Sequence, residues 1–124
     1  MIQATIRSML LADEDVSAIV GDRIYDLQFP DGVTFPCIQI QRTSEVLDDV
    51  TFTRRTLLQI DAYSQSHREA AVLAEQILKA LVNAEQAGDD TVFSVTLNGI
   101  RDLSIPETRL YRVTSDYAVK WRNI

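Results

Sequence analysis

Three stretches of the chain place apolar side chains at every second position, and this period of two constrains the fold more than any other feature. In residues 37–46, Ile38 and Ile40 alternate with Gln39 and Gln41, and the pattern recurs in residues 54–63 and 111–121. Successive side chains of a β-strand point to opposite faces, so each stretch predicts a half-buried strand. The chain is therefore built around long strands with one apolar and one polar face.

Helices are predicted in three places. An apolar stripe opens the chain, and Asp13 can cap a short second helix that stops at Gly21. A capping box formed by Ser66 and Glu69 starts the third and longest helix, which we expect to end between residues 83 and 88. The stripes of the first and third helices are Ile2, Ile6, Met9 and Leu10, and Ala70, Leu73, Ala74, Ile77, Leu78 and Leu81.

The remaining segments complete the order of elements. Residues 23–25 predict a brief strand, and Asn98-Gly99 predicts a tight hairpin between residues 92–97 and 100–105. A two-residue turn there mismatches the strand faces, so we expect a bulge near residues 100–102 or a longer loop. We predict one α+β domain over residues 1–124: an antiparallel, mostly meander β-sheet with helices packed on one face, as a two-layer sandwich.

Composition excludes several classes of function. Twelve basic and 18 acidic residues give a net charge of −6, which disfavours gripping nucleic acid. One cysteine and one histidine permit neither an internal disulfide nor a structural zinc site. No export signal or bilayer-spanning run is visible, so we expect a soluble protein, made in a cytoplasm, without a membrane partner.

No group of residues predicts catalysis, a metal site or a cofactor. His67 falls in the capping box, where exposure is expected, and Cys37 begins a strand, where burial is expected. The acidic runs at residues 13–15, 48–49 and 89–90 lack the ligand spacing of a calcium loop. We therefore predict that the protein is not an enzyme, and that its function lies in surfaces and edges.

Asp61 and a few basic residues are the candidate interaction residues that the pattern itself supplies. Asp61 lies in mid-strand and is either solvent-exposed or paired across strands, for instance with Arg42, Arg112 or Lys120. An exposed strand face and an interface both remain open for it. Arg54-Arg55, and Arg109 with Arg112, are small basic islands that suit solvated strand ends or a neighbour's acidic loop.

Five segments follow one another in a characteristic order: residues 20–25, 35–44, 58–64, 69–71 and 112–117. In this order the chain resembles the tail-completion (tail terminator) proteins of long-tailed bacteriophages, from about residue 10 to residue 121. Cys37 departs from the family pattern, which favours a larger residue there, and residues 29–32 form a local loop variant.

The resemblance implies a homo-oligomeric ring, a hexamer, at the head-proximal end of a phage tail in the neck of the virion. Such a ring stops polymerisation of the tail tube protein and provides the joint to the head-tail connector protein, while DNA passes through its lumen without specific binding. We expect Glu45, Asp48 and Asp49 either in a lumen-facing acidic loop or at a subunit junction against Arg54 and Arg55.

Two other functions remain open from the sequence. The first is another phage neck component, a head-closure or connector-associated protein, because small ring-forming neck proteins share this build. The second is a small intracellular ligand-binding domain or enzyme with a pocket between helices and sheet. The second predicts a monomer or dimer that a ligand stabilises. A terminator predicts a ring, or a monomer that becomes a ring at high concentration or on tail tubes.

Overall fold

All three predicted helices form in the computed structural model, which describes residues 2–83 and 91–122. They are α1 (Ile2–Ala12), α2 (Glu14–Val20) and α3 (His67–Asn83). The strands are β1 (Ile24–Asp26), β2 (Cys37–Asp48), β3 (Thr53–Ser64), β4 (Thr91–Asp102) and β5 (Tyr111–Arg122), with a 3-10 turn at Pro106–Thr108 before β5. The expected end of α3 lies partly outside the described residues.

The five strands form one sheet in the order β1-β2-β3-β5-β4. Three of the four pairings are antiparallel, and only β1 runs parallel to its neighbour β2. Side chains on one face of the sheet join those of all three helices in one core, in which Leu58, Ile60 and Tyr117 are almost completely buried. The predicted α+β sandwich of a mostly meander sheet and helices on one face is confirmed.

Local sequence signals set the helix starts. The Asp13 side chain accepts a hydrogen bond from the Val16 amide at 3.0 Å, as an N-cap does. Ser66 Oγ accepts from the Glu69 amide at 3.3 Å, which is one half of the predicted capping box. The other half is absent because Glu69 Oε1 accepts instead from Ser64 Oγ at 2.7 Å, which ties α3 to the end of β3.

The hairpin predicted at Asn98-Gly99 is wrong. Both residues lie within β4, and the chain turns only in the longer connection of residues 103–110. The register of β4 against β5 shifts twice, between Val92 and Ser94 and between Leu97 and Gly99. These bulges absorb extra residues, so Val92, Val95 and Leu97 all pack against the core despite their irregular spacing. Phe93 is an exception, because it is half exposed and lies against Arg122. A bulge was one of the two expected alternatives and is present, but it lies before Gly99 rather than near residues 100–102.

Candidate assembly surfaces

The β2–β3 hairpin extends past the part of the sheet that the helices cover. The first four residues of β2 are buried, and nearly all residues after Ile40 are partly or fully exposed. Asp48 closes the hairpin: its Oδ1 accepts from the amides of Val50 at 2.9 Å and Thr51 at 3.3 Å. These two backbone hydrogen bonds lower the pKa of the Asp48 carboxyl. Asp48 is thus a turn-forming residue, and Asp49 next to it is exposed.

Exposed apolar side chains are concentrated at the end of this hairpin. We call Val46, Leu47, Val50 and Phe52 the hairpin tip; their exposed fractions run from 46% to 87%. Phe52 has a positive φ of 56°, a conformation that disfavours residues with a side chain. Neither the core nor the turn geometry needs an aromatic residue there. The tip therefore has the properties of a contact surface rather than of a structural element.

A second exposed apolar group lies at the other end of the same sheet. We call Ile100, Leu103 and Ile105 the distal patch; each is 40–57% exposed. Ser64 pairs with Tyr111 at this end of β3, whereas Thr53 begins β3 beside the hairpin tip. The 11 steps of β3 between these ends correspond to about 35 Å at the usual rise per strand residue. The chain thus carries two apolar surfaces at opposite ends of one sheet.

His67 lies beside the distal patch and is exposed, as the sequence predicted. Its Nε2 lies 2.6 Å from Oδ2 of Asp102, and its ring packs edge-on against Tyr111. Side-chain and backbone hydrogen bonds from Ser104, followed by the contact with His67, lower the pKa of Asp102 to about 2. This pair joins the start of α3 to the end of β4.

Two of the predicted interaction residues pair with each other inside the chain. Arg54 Nη1 lies 3.0 Å from Oε2 of Glu45, and Thr56 donates to Oε1 of Glu45 at 2.8 Å. Arg42 approaches the same carboxylate at 3.9 Å, and the Arg54 guanidinium lies 5.5 Å from the ring centre of Trp121. The charges of Glu45 and Arg54 are therefore largely compensated locally, on the helix side of the sheet.

Arg55 points to the opposite, helix-free face. It lies directly across from Lys120 in the register of β3 and β5. Among the described residues, neither side chain has an acidic group within 4 Å. The two line an open groove of about 400 Å³ together with Ser94, Thr96, Asn98 and Ala118. A second groove lies alongside, and it is lined by both of these cations together with Asp48 and Val46. The structure separates Arg55 from Arg54 and brings it to Lys120 instead.

Asp61 is completely buried on the helix-free face. Its Oδ2 accepts from Arg112 Nη2 at 3.1 Å and its Oδ1 from Thr114 Oγ1 at 2.6 Å. Of the alternatives that the sequence left open, Asp61 shows cross-strand pairing with Arg112, and the solvent-exposed strand face is wrong. The connection between β1 and β2 covers this part of the face: Phe29 packs edge-on against Tyr63, whose ring lies 5.6 Å from the Arg112 guanidinium.

Cys37 is buried at the start of β2, and burial raises the pKa of its thiol to about 11 despite the opposing charge of Arg23. In residues 2–83 and 91–122, no cluster of histidine, cysteine or acidic residues could hold a metal ion. Asp89 and Asp90 lie outside the described residues. None of the helices in this part of the chain has the length and apolar character needed to cross a bilayer.

Sequence reasoning missed the hairpin tip and the Arg55–Lys120 pair. Val50 and Phe52 carried a signal, because two exposed apolar residues in a predicted polar connection are unusual. No signal in the sequence predicted the alignment of Arg55 with Lys120. It depends on the register between two strands, and the two residues are 65 positions apart in the chain.

Comparison with known proteins finds a matching family and solved structures of similar fold. The family described as tail completion protein gp17 matches residues 4–121. A chain in the solved structure of the virion of a native gene transfer agent particle superimposes with a TM-score of 0.76 at 17% identity, over 97% of this chain and 93% of that one. At that identity the similarity concerns the fold. No curated protein matches the sequence.

Proposed function

The chain belongs to the tail completion protein gp17 family, and from this premise we propose that it caps the head-proximal end of a phage tail tube as a ring. It is a structural protein of the phage tail. In the proposed role it ends polymerisation of the tube protein, forms the joint to the head-tail connector and occupies the neck of the virion.

The observation that carries this proposal is the pair of apolar surfaces at opposite ends of the sheet. A joint must bind two different partners, one on each side. The hairpin tip and the distal patch have no common residue and lie toward opposite ends of β3, whose 11 steps span about 35 Å. Both lie on or next to strands of the same five-stranded sheet, which holds them at a fixed separation. This arrangement suits a part placed between a tube and a connector.

The charge of the chain suits a ring through which DNA passes. Six copies at −6 each would carry about −36, and such a field repels the phosphate backbone at short range. Ring closure needs two different patches on each subunit that meet head to tail. Exposed Asp48 and Asp49 at the hairpin end are our candidates for the lumen or for a subunit junction.

The proposal is tested with purified tail tubes and heads and two surface variants. Val50→Ser with Phe52→Ser changes the hairpin tip, and Leu103→Ser with Ile105→Ser changes the distal patch. The matched control is Val72→Ser with Val82→Ser, which removes two similarly exposed apolar side chains from α3. Far-ultraviolet circular dichroism confirms that each variant is folded.

We expect one of the two surface variants to lose tube binding and the other to lose head attachment, while the control keeps both. If both variants bind tubes and heads as the wild type does, the two apolar surfaces have no part in joining. Binding to heads with no effect on the length of tubes would assign the chain instead to head closure, the alternative neck role.

A further inference from the structure

Arg55 and Lys120 form an unfavourable pair within the isolated chain. They are direct register partners on neighbouring antiparallel strands, where like charges destabilise a sheet. The Asp48 carboxylate lines the neighbouring groove and lies within electrostatic reach of Lys120, but it makes no ion pair with Lys120 among the described residues. An anion bound between the two cations would relieve their repulsion.

The groove around this pair is equipped to hold a carboxylate. Ser94, Thr96 and Asn98 of β4 line it together with the two cations. Their hydroxyl and amide groups can donate hydrogen bonds to an anionic oxygen, and hydrogen bonds from charged donors are the stronger kind. The helices lie on the other face of the sheet, and the β1–β2 connection packs near Asp61 and Tyr63. Arg55 and Lys120 are both exposed, so nothing in residues 2–83 and 91–122 closes the groove to a partner.

The opposite edge of the sheet carries the complementary charge. Asp22, Asp26 and Asp31 are exposed on and around β1, and we call them the acidic edge. Two cations lie behind it, Arg7 and Arg23, and both are half-buried. They donate to backbone carbonyls, at 2.9 Å from Arg7 Nε to Ile24 and from Arg23 Nε to Pro36. The surface presented to solvent at this edge is therefore anionic.

We propose that the Arg55–Lys120 groove of one copy binds the acidic edge of the next copy in the ring. This inference rests on the proposed function and adds the subunit contact to it. The groove lies on the helix-free face over β3, β5 and β4, and the acidic edge lies at β1. The contact therefore joins unlike patches and can propagate from copy to copy, as a cyclic ring requires. Carboxylates of the same chain suit the groove better than DNA does, because two cations on a chain of charge −6 are a poor phosphate site.

Charge reversal in complementary pairs tests this contact. Arg55→Glu with Lys120→Glu makes the groove anionic, and Asp26→Lys with Asp31→Lys makes the edge cationic. Each variant alone would have like charges at every contact. An equal mixture can alternate around the ring, since the altered groove then meets the altered edge and the native groove meets the native edge. Arg68→Glu with Lys79→Glu on α3 is the control of equal net charge for the groove variant.

Assembly is measured by sedimentation velocity at low salt, and on tail tubes by electron microscopy. We expect each reversal variant to associate at least about tenfold more weakly than the wild type, the mixture to recover, and the control to behave as the wild type. Normal rings from either variant alone, or a mixture that stays dissociated, would overturn the subunit contact while leaving the ring itself standing.

Two further outcomes also bear on the contact. The wild type could bind DNA, and the groove variant could form normal rings but no longer bind DNA. That result would assign the groove to phosphate and overturn our proposal. A wild-type chain that forms no ring, free or on tubes, would remove the proposed function and the contact together.

Discussion

Replacing the buried Asp61 by asparagine tests how the helix-free face is held together. The substitution keeps the shape of the side chain and removes its charge. Asp61 is completely buried, and its two oxygens accept from Arg112 at 3.1 Å and from Thr114 at 2.6 Å. The loss therefore weakens a hydrogen bond to a charged donor and leaves the guanidinium without its counter-ion.

The expected loss of unfolding free energy follows from the burial of Asp61 and Arg112. Removing one member of a buried pair costs about 3–5 kcal/mol, and the 30% exposure of the Arg112 side chain favours the lower end of that range. We expect Asp61→Asn to lower the free energy of unfolding by about 3 kcal/mol. For a chain of this length, that corresponds to a fall in Tm of about 10 °C.

Asp116→Asn is the matched control. Asp116 lies in β5 on the same helix-free face as Asp61, and its carboxylate pairs with Arg101 at 3.2 Å. Both of these side chains are more than one-third exposed, so we expect a change below about 1 kcal/mol. Urea unfolding followed by circular dichroism measures both variants. Equal effects of the two substitutions, or a change of less than about 0.5 kcal/mol for Asp61→Asn, would refute the assignment of Asp61 to the fold.

Two further predictions concern titratable groups. The pKa of Asp102 is lowered in the folded chain from 3.8 to about 2, so its contribution to stability is present above pH 3.8 and is lost as the pH falls toward 2. Asp102→Asn should flatten the acid limb of a stability-against-pH curve in that window, and an unchanged limb would contradict the Ser104 and His67 contacts. Burial raises the pKa of Cys37 to about 11, so a maleimide at neutral pH should label it only at the rate of unfolding. Rapid labelling of the folded protein would show that Cys37 is accessible.

Regular periodicity made the helices and the long strands predictable from the sequence. Asp13 and Ser66 cap α2 and α3 through local hydrogen bonds. The alternation of β3, β5 and the first part of β2 assigned side chains to faces, and a register shift between Arg42 and Ser44 ends that alternation in β2. Strand β4 was mispredicted because its two bulges break that alternation. The strong turn preference of Asn98-Gly99 was overridden by pairing with β5 along the whole strand.

The candidate surfaces were only partly predictable, because many of their contacts join strands that are distant in the sequence. Glu45 was expected in a lumen-facing loop or at a subunit junction against Arg54, whereas the structure pairs the two residues within one hairpin. The pairing of Asp61 with Arg112 was one of three options that the sequence left open, and choosing between them needed the register of β3 against β5. The same register places Lys120 opposite Arg55. Contacts between strands distant in sequence are set by the whole sheet and have no local signature.

Imaging of tail tubes that grow in the presence of the labelled protein tests the central claim most directly. The measurement is the position and number of labelled assemblies on each tube, by electron microscopy. Our account predicts one ring at a single end of each tube, and tubes that stop growing once it is bound. Tubes that grow to the same lengths with and without the protein, with no label at either end, would contradict it.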